Sequence, residues 1–201
     1  MIYYIADNHF GHKNVIRFDN RPFADTVLMD EVLVHNWNER VTEDDTVYIL
    51  GDCFWKNEEN SVKLIQRLKG HKHLIRGNHD RVHGRLRFYY ESIEHYAEIN
   101  DNDRLVILCH YPIPFYKNQH YGAVMLYGHV HNTREQDFIE KWKRELWESE
   151  IQCNMINVGC MMEYMKYTPR TLNEILRQIP LPNSEKIRNR KEMTQNDILD
   201  R

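Results

Sequence analysis

Five short apolar runs in this chain stop at residues that can ligate a metal ion. They end in Asp7-Asn8-His9, Gly51-Asp52, Gly77-Asn78-His79-Asp80, Cys109-His110 and Gly128-His129-Val130-His131. Ligands of α/β proteins collect just beyond the carboxyl ends of strands, where loops vary without disturbing the core. Recurrence at that one kind of position says more than any single histidine. Gly51, Gly77 and Gly128 directly precede polar groups, and glycine allows positive φ or close backbone approach where a strand turns sharply.

The runs at 2–6, 46–50, 72–76, 105–109, 123–127 and 155–158 are β-branched and aromatic, and their lengths suit buried strands. Between the first two, residues 29–41 place Leu33, Val34, Trp37 and Val41 on one helical face, and 61–68 repeats the pattern with Leu64, Ile65 and Leu68. Residues 135–150 read as an amphipathic helix with Phe138, Ile139, Trp142, Leu146 and Trp147 on one side, facing this chain's own core or a partner. A short helix over 171–179 follows Thr168-Pro169, and Pro180 and Pro182 end regular structure. Strands and helices alternate at first, then strands follow one another. That order predicts an α/β fold with two mixed sheets packed between helices.

The 201 residues, 41% hydrophobic, suffice for one core. One domain over 1–180 is expected, followed by a charged tail over 181–201 whose Lys186, Arg188, Arg190 and Lys191 read as a solvated terminus. A net charge of -3 provides no global field toward nucleic acid or an acidic membrane, although a local basic groove stays open. The N-terminus lacks a basic segment before an apolar run, so it does not read as a signal peptide. No run approaches the roughly 18 apolar residues of a membrane span. Cys53, Cys109, Cys153 and Cys160 have no CxxC spacing and read as reduced, buried thiols. A soluble cytoplasmic protein is expected, with monomer and homodimer both compatible.

The segments ADNHFGH (6–12), LGDC (50–53), RGNHD (76–80), LCHYP (108–112) and YGHVHN (127–132) follow one another in a telling order. That order resembles the calcineurin-like metallophosphoesterase superfamily, whose pattern runs DxH, GD, GNH[DE], H and GHxH. The likeness extends to the small bacterial and phage-type phosphoesterases that begin with DxHFGHxN, and includes NVG (157–159) and TPRTLNEI (168–175). Asn8 stands where Thr or Leu is usual, and Cys53 where an aromatic or Val is usual.

The resemblance implies a four-layer α-β-β-α sandwich and a dinuclear metal-dependent phosphoesterase, hydrolysing a phosphodiester or phosphomonoester by attack of a metal-bridging hydroxide. Asp7, His9 and His131 would hold one ion, Asn78, His110 and His129 the other, and Asp52 would bridge them. Imidazole and carboxylate ligands suit Mn²⁺, Fe or Zn²⁺. Two such ions about 3.5–4 Å apart polarise phosphoryl oxygens and acidify a shared water. His79 would protonate the leaving oxygen, with Asp80 orienting its imidazole. His12 and Arg81 flank the motifs as candidate contacts to substrate phosphate. The aromatic loop from Tyr111 to Tyr121 either lines the substrate pocket or caps the sheet edge. The expected partner is a phosphate ester, a nucleotide or another small molecule. The alternatives are a nuclease of the same superfamily, which would need a groove of Lys and Arg, and a non-catalytic scaffold, against which the intact ligand set weighs.

Overall fold

The computed structural model describes residues 1–179, so the tail at 181–201, with Lys186, Arg188, Arg190 and Lys191, lies outside the described residues. Among the described residues, eight strands form two four-stranded sheets. The first holds β1 (Ile2–Ile5), β2 (Thr46–Ile49), β3 (His71–Ile75) and β4 (Ser92–Glu94) in chain order, all parallel. The second holds β5 (Tyr96–Asp101), β6 (Arg104–Cys109), β7 (Val124–Tyr127) and β8 (Met155–Asn157), with β5 antiparallel to β6 and the other pairs parallel. The helices are α1 (Lys13–Phe18), α2 (Thr26–Asn38), α3 (Glu58–Ile65), α4 (Arg134–Glu148) and α5 (Leu172–Gln178).

Period-two alternation sorts the second sheet into two faces. Val106, Leu108, Val124, Leu126 and Ile156 join the large core that also contains β1–β3, Leu33 and Trp37 of α2, and Val62 and Ile65 of α3. Their neighbours Ile107, Cys109, Met125, Tyr127 and Met155 face outward and are covered by Ile139 and Leu146 of α4. The result is the expected helix–sheet–sheet–helix sandwich. The sheets are tied together where β1 ends, because the Ala6 amide donates to Val158 O at 2.8 Å and the Cys160 amide donates to Ala6 O at 2.8 Å.

Six strands were legible as apolar runs; β4 and β5 were not. In β4 Ser92 and Ile93 are half-buried and Glu94 is exposed, and β5 buries only Ala97 and Asp101, so neither is an apolar run. Helix starts also differ from the apolar stripes. The Asp25 side chain accepts from the Leu28 amide and that of Asn57 from the Asn60 amide, starting α2 and α3 three residues before the stripes at 29 and 61. Phe138, expected on the inward side of α4, is 65% exposed, whereas Ile139 and Leu146 are buried and Trp142 packs partly against the second sheet. All four cysteines are free and buried. Among the described residues no helix is long and apolar enough to cross a membrane.

Candidate metal centre

The seven expected ligands, scattered over 125 positions of sequence, sit on five strand-end turns. Five of them hold a left-handed backbone: Asp7 (φ 54), His9 (φ 50), Asp52 (φ 53), His129 (φ 71) and His131 (φ 51). Such a conformation costs a non-glycine residue about 1–3 kcal/mol and persists only where surrounding contacts impose it. The glycines serve in both of the ways expected. Gly51 does take positive φ (87), but Gly128 does not and is needed for close approach: a Cβ there would lie 2.7 Å from both Ala6 Cβ and Asp7 Oδ2.

Two sets of side chains converge, Asp7 with His9 and His131, and Asp7 with Asp52 and His110; within each set the potential ligand atoms lie within 4.8 Å of one another. Asn78 completes the second set, its Oδ1 standing 3.0 Å from His110 Nε2 and 3.0 Å from His129 Nδ1. Backbone amides hold the carboxylates in place: His129 N donates to Asp7 Oδ2 at 3.0 Å and His79 N to Asp52 Oδ1 at 2.9 Å.

The donor set fits divalent cations. His110 Nδ1 faces Leu50 O at 2.8 Å, which places the proton on Nδ1 and leaves the Nε2 lone pair 3.6 Å from Asp52 Oδ2. His131 Nδ1 lies 2.7 Å from Asp19 Oδ1, and its Nε2 points at His9 Nε2, 3.2 Å away. Two imidazole nitrogens that close require a proton or a cation between them. Carboxylate-backed histidines of this kind are the usual support of a metal ligand.

Burial shapes the protonation states. It pushes the Asp7 carboxyl up to about 6, reinforced by Asp52 and opposed by His131, His110 and the His129 amide. It drives His9 well below the ordinary imidazole range, with His131 and Arg21 adding repulsion. His129 is likewise lowered by burial and by His110. Neutral imidazole is the ligating form. Burial also acts downward on His131, but Asp19 and Asp7 outweigh it and raise the group.

Asp19 and Arg21 were not legible as functional residues. Their side chains are about 1% and 0% exposed and pair at 2.8 Å. Arg21 also donates to Asp7 O and Asn8 O, both at 2.9 Å, so one buried ion pair braces His131 and the turn carrying Asp7 and His9. Nothing in the local pattern Asp19-Asn20-Arg21-Pro22 distinguishes it from an ordinary turn.

Asp80 departs from expectation. Its carboxylate does not orient the His79 imidazole but accepts from the amides of Asp52 (2.8 Å), Cys53 (2.9 Å) and Gly77 (2.8 Å). Backbone donors at the meeting of two turns would otherwise be buried without partners, and they claim the carboxylate first. His79 itself is part-exposed, with Nε2 4.0 Å from Asp52 Oδ2 and its ring against Trp55, 4.6 Å between centroids. His12 stacks flat on the same indole at 3.9 Å. Arg81 is exposed near His79 and lines a cavity there. The aromatic loop divides: Tyr111 stands edge-on to His110 and His129, while Tyr116 packs against the second sheet and accepts from the Asn154 amide at 2.7 Å.

Two stacked four-stranded sheets carry these motifs at their strand ends, the arrangement that the resemblance to the calcineurin-like metallophosphoesterases implies. The chain belongs to the same family as an uncharacterized protein of Methanocaldococcus jannaschii, 32% identical over 182 residues that cover 89% of this chain and 90% of the relative. A solved protein of unknown function from Aquifex aeolicus is similar at 26% identity, with a TM-score of 0.68 over 89% of this chain and 98% of that one. A nuclease of Pseudomonas putida, named MPE, is 22% identical, with a TM-score of 0.43 over 65% of this chain and 61% of that one, a distance that carries no substrate across. No family model matches the chain.

Proposed function

We propose that this chain is a dinuclear metal-dependent phosphoesterase that cleaves a phosphodiester or phosphomonoester with His79 as general acid. The observation that carries the proposal is the convergence of Asp7, His9 and His131 beside Asp7, Asp52 and His110, with the Nδ1 atoms of His110 and His131 already engaged and their Nε2 atoms turned inward. Divalent cations held there, Mn²⁺, Fe or Zn²⁺ by ligand type, would polarise the phosphoryl oxygens and acidify water.

The chain's own residues supply the rest. Asp52 fixes the His79 backbone through Oδ1, while the His79 side chain is 41% exposed and free to meet a leaving oxygen. From there it delivers a proton to the departing group. Asp80 serves by tying together two turns through three backbone amides rather than by touching the imidazole. Tyr111 borders the opposite side, against His129.

The test is hydrolysis of bis-p-nitrophenyl phosphate and p-nitrophenyl phosphate by metal-stripped protein refilled with Mn²⁺, with bound metal counted and Asp52→Asn run in parallel. Turnover restored by metal in the parent and absent from the variant is expected, and the preferred ester separates diesterase from monoesterase. Failure to bind metal refutes the proposal.

A further inference from the structure

His79 belongs to the wall of a cavity of about 490 Å³, bounded on one side by residues 54–61 and on the other by 78–90. The volume falls within the range of pockets that enclose a small-molecule ligand. Its apolar surface comes from Phe54, Val82, Leu86 and Tyr90, and from the indole of Trp55, which is 46% exposed. That indole is fixed in place, with His12 parallel to it within 10° and His79 inclined at 60°. His12 occupies one face of the indole, so a planar ring would stack on the exposed remainder of its surface, a contact worth about 1–3 kcal/mol for a base.

The charges in the wall narrow the choice of occupant. Glu58 accepts from the Arg85 amide at 2.6 Å, and Lys56 pairs with Asp30 at 3.1 Å. Arg81 has no carboxylate partner among the described residues. This lining disfavours a cationic alcohol such as choline. Its apolar share disfavours a bare sugar. A flat ring with hydrogen-bonding edges, opposite Asn57 and Arg81, satisfies both kinds of wall.

We propose that this cavity receives the leaving group and that the leaving group is a nucleoside, so the substrate is a phosphodiester of a nucleoside. The inference rests on the reading of His79 as general acid, because the group attached to the oxygen it protonates must extend past it into this space. Water adds to phosphorus, the bond from phosphorus to the nucleoside oxygen breaks, and that oxygen takes the His79 proton. The products are the free nucleoside and a phosphomonoester; the proton given up by water restores His79.

Adenosine 5′-(methyl phosphate) tests the orientation directly, because its two sides differ. With the Mn²⁺-loaded full chain, release of adenosine and methyl phosphate is expected to exceed release of adenosine 5′-monophosphate and methanol at least tenfold. Val82→Phe, which fills the cavity, should shrink that ratio at least tenfold, whereas general damage to the fold would lower both products together. Equal or reversed product release overturns the inference. So does failure to cleave this ester by protein that still hydrolyses bis-p-nitrophenyl phosphate, and in both cases the phosphoesterase reading stands. If no phosphate ester is hydrolysed, that reading falls, and the cavity is judged by binding alone. Quenching of fluorescence by adenosine that disappears in Trp55→Phe then upholds a nucleoside site, and its absence refutes one.

Discussion

Replacing Asp19 by alanine should damage stability and metal affinity by separable amounts. The Asp19 carboxylate meets Arg21 Nε at 2.9 Å and its terminal nitrogen at 2.8 Å, with both side chains out of water. Alanine leaves the guanidinium without a carboxylate, holding the Asp7 and Asn8 carbonyls at 2.9 Å and the Met29 sulfur at 3.8 Å. Stranding one member of a buried pair typically costs about 3–5 kcal/mol, which urea unfolding of the metal-free protein would report. The second effect runs through His131, whose Nδ1 loses its acceptor at 2.7 Å and with it the fixed direction of Nε2. Loss of such support lowers metal affinity roughly 10- to 100-fold, or about 1.4–2.8 kcal/mol. Competition for Mn²⁺ against a fluorescent chelator measures this. Asp19→Asn retains an oxygen for His131 while removing the charge from Arg21, so it should lose stability yet keep more affinity than alanine. Wild-type Mn²⁺ affinity in Asp19→Ala would refute the claim that this pair positions His131.

Three further outcomes are expected. His79→Ala should lower turnover roughly 10²- to 10⁴-fold with metal content near normal, whereas Asp80→Asn, which puts an N–H donor among three backbone amides, should cost about 1–3 kcal/mol in urea unfolding. Gly128→Ala forces a methyl to within 2.7 Å of Ala6 Cβ and Asp7 Oδ2, so it should destabilise by about 1–3 kcal/mol and lower the bound-metal count. Because the Asp7 carboxyl is pushed up to about 6, protons compete for it below that pH. Mn²⁺ affinity should therefore fall, and proton release on binding increase, between pH 7 and pH 5, as calorimetry in buffers of different ionisation enthalpy would detect.

The legible parts of this protein are those written by local chemistry. Each expected ligand stands at the end of an apolar run, and the structure brings Asp7, His9, Asp52, Asn78, His110, His129 and His131 to one end of the two sheets. Less was legible where function rests on a contact between distant segments. Trp55 is three positions past Asp52 and looks like any surface aromatic until His12 and His79 are seen against it. Asp80 was legible as part of the site but not in its role, since its partners at 52 and 53 are remote in sequence.

From its residues alone, this chain specified which side chains could serve as ligands and that its strands would form two sheets between helices. Hydrophobic periodicity and residue chemistry are local properties, readable within a few positions. Only the tertiary structure decided which carboxylate backs which histidine, which ligands adopt strained backbone, and where a cavity opens beside His79. Those follow from how β1 and β8 join at Ala6 and how five turns meet there, and buried polar groups then take whichever partners that meeting provides.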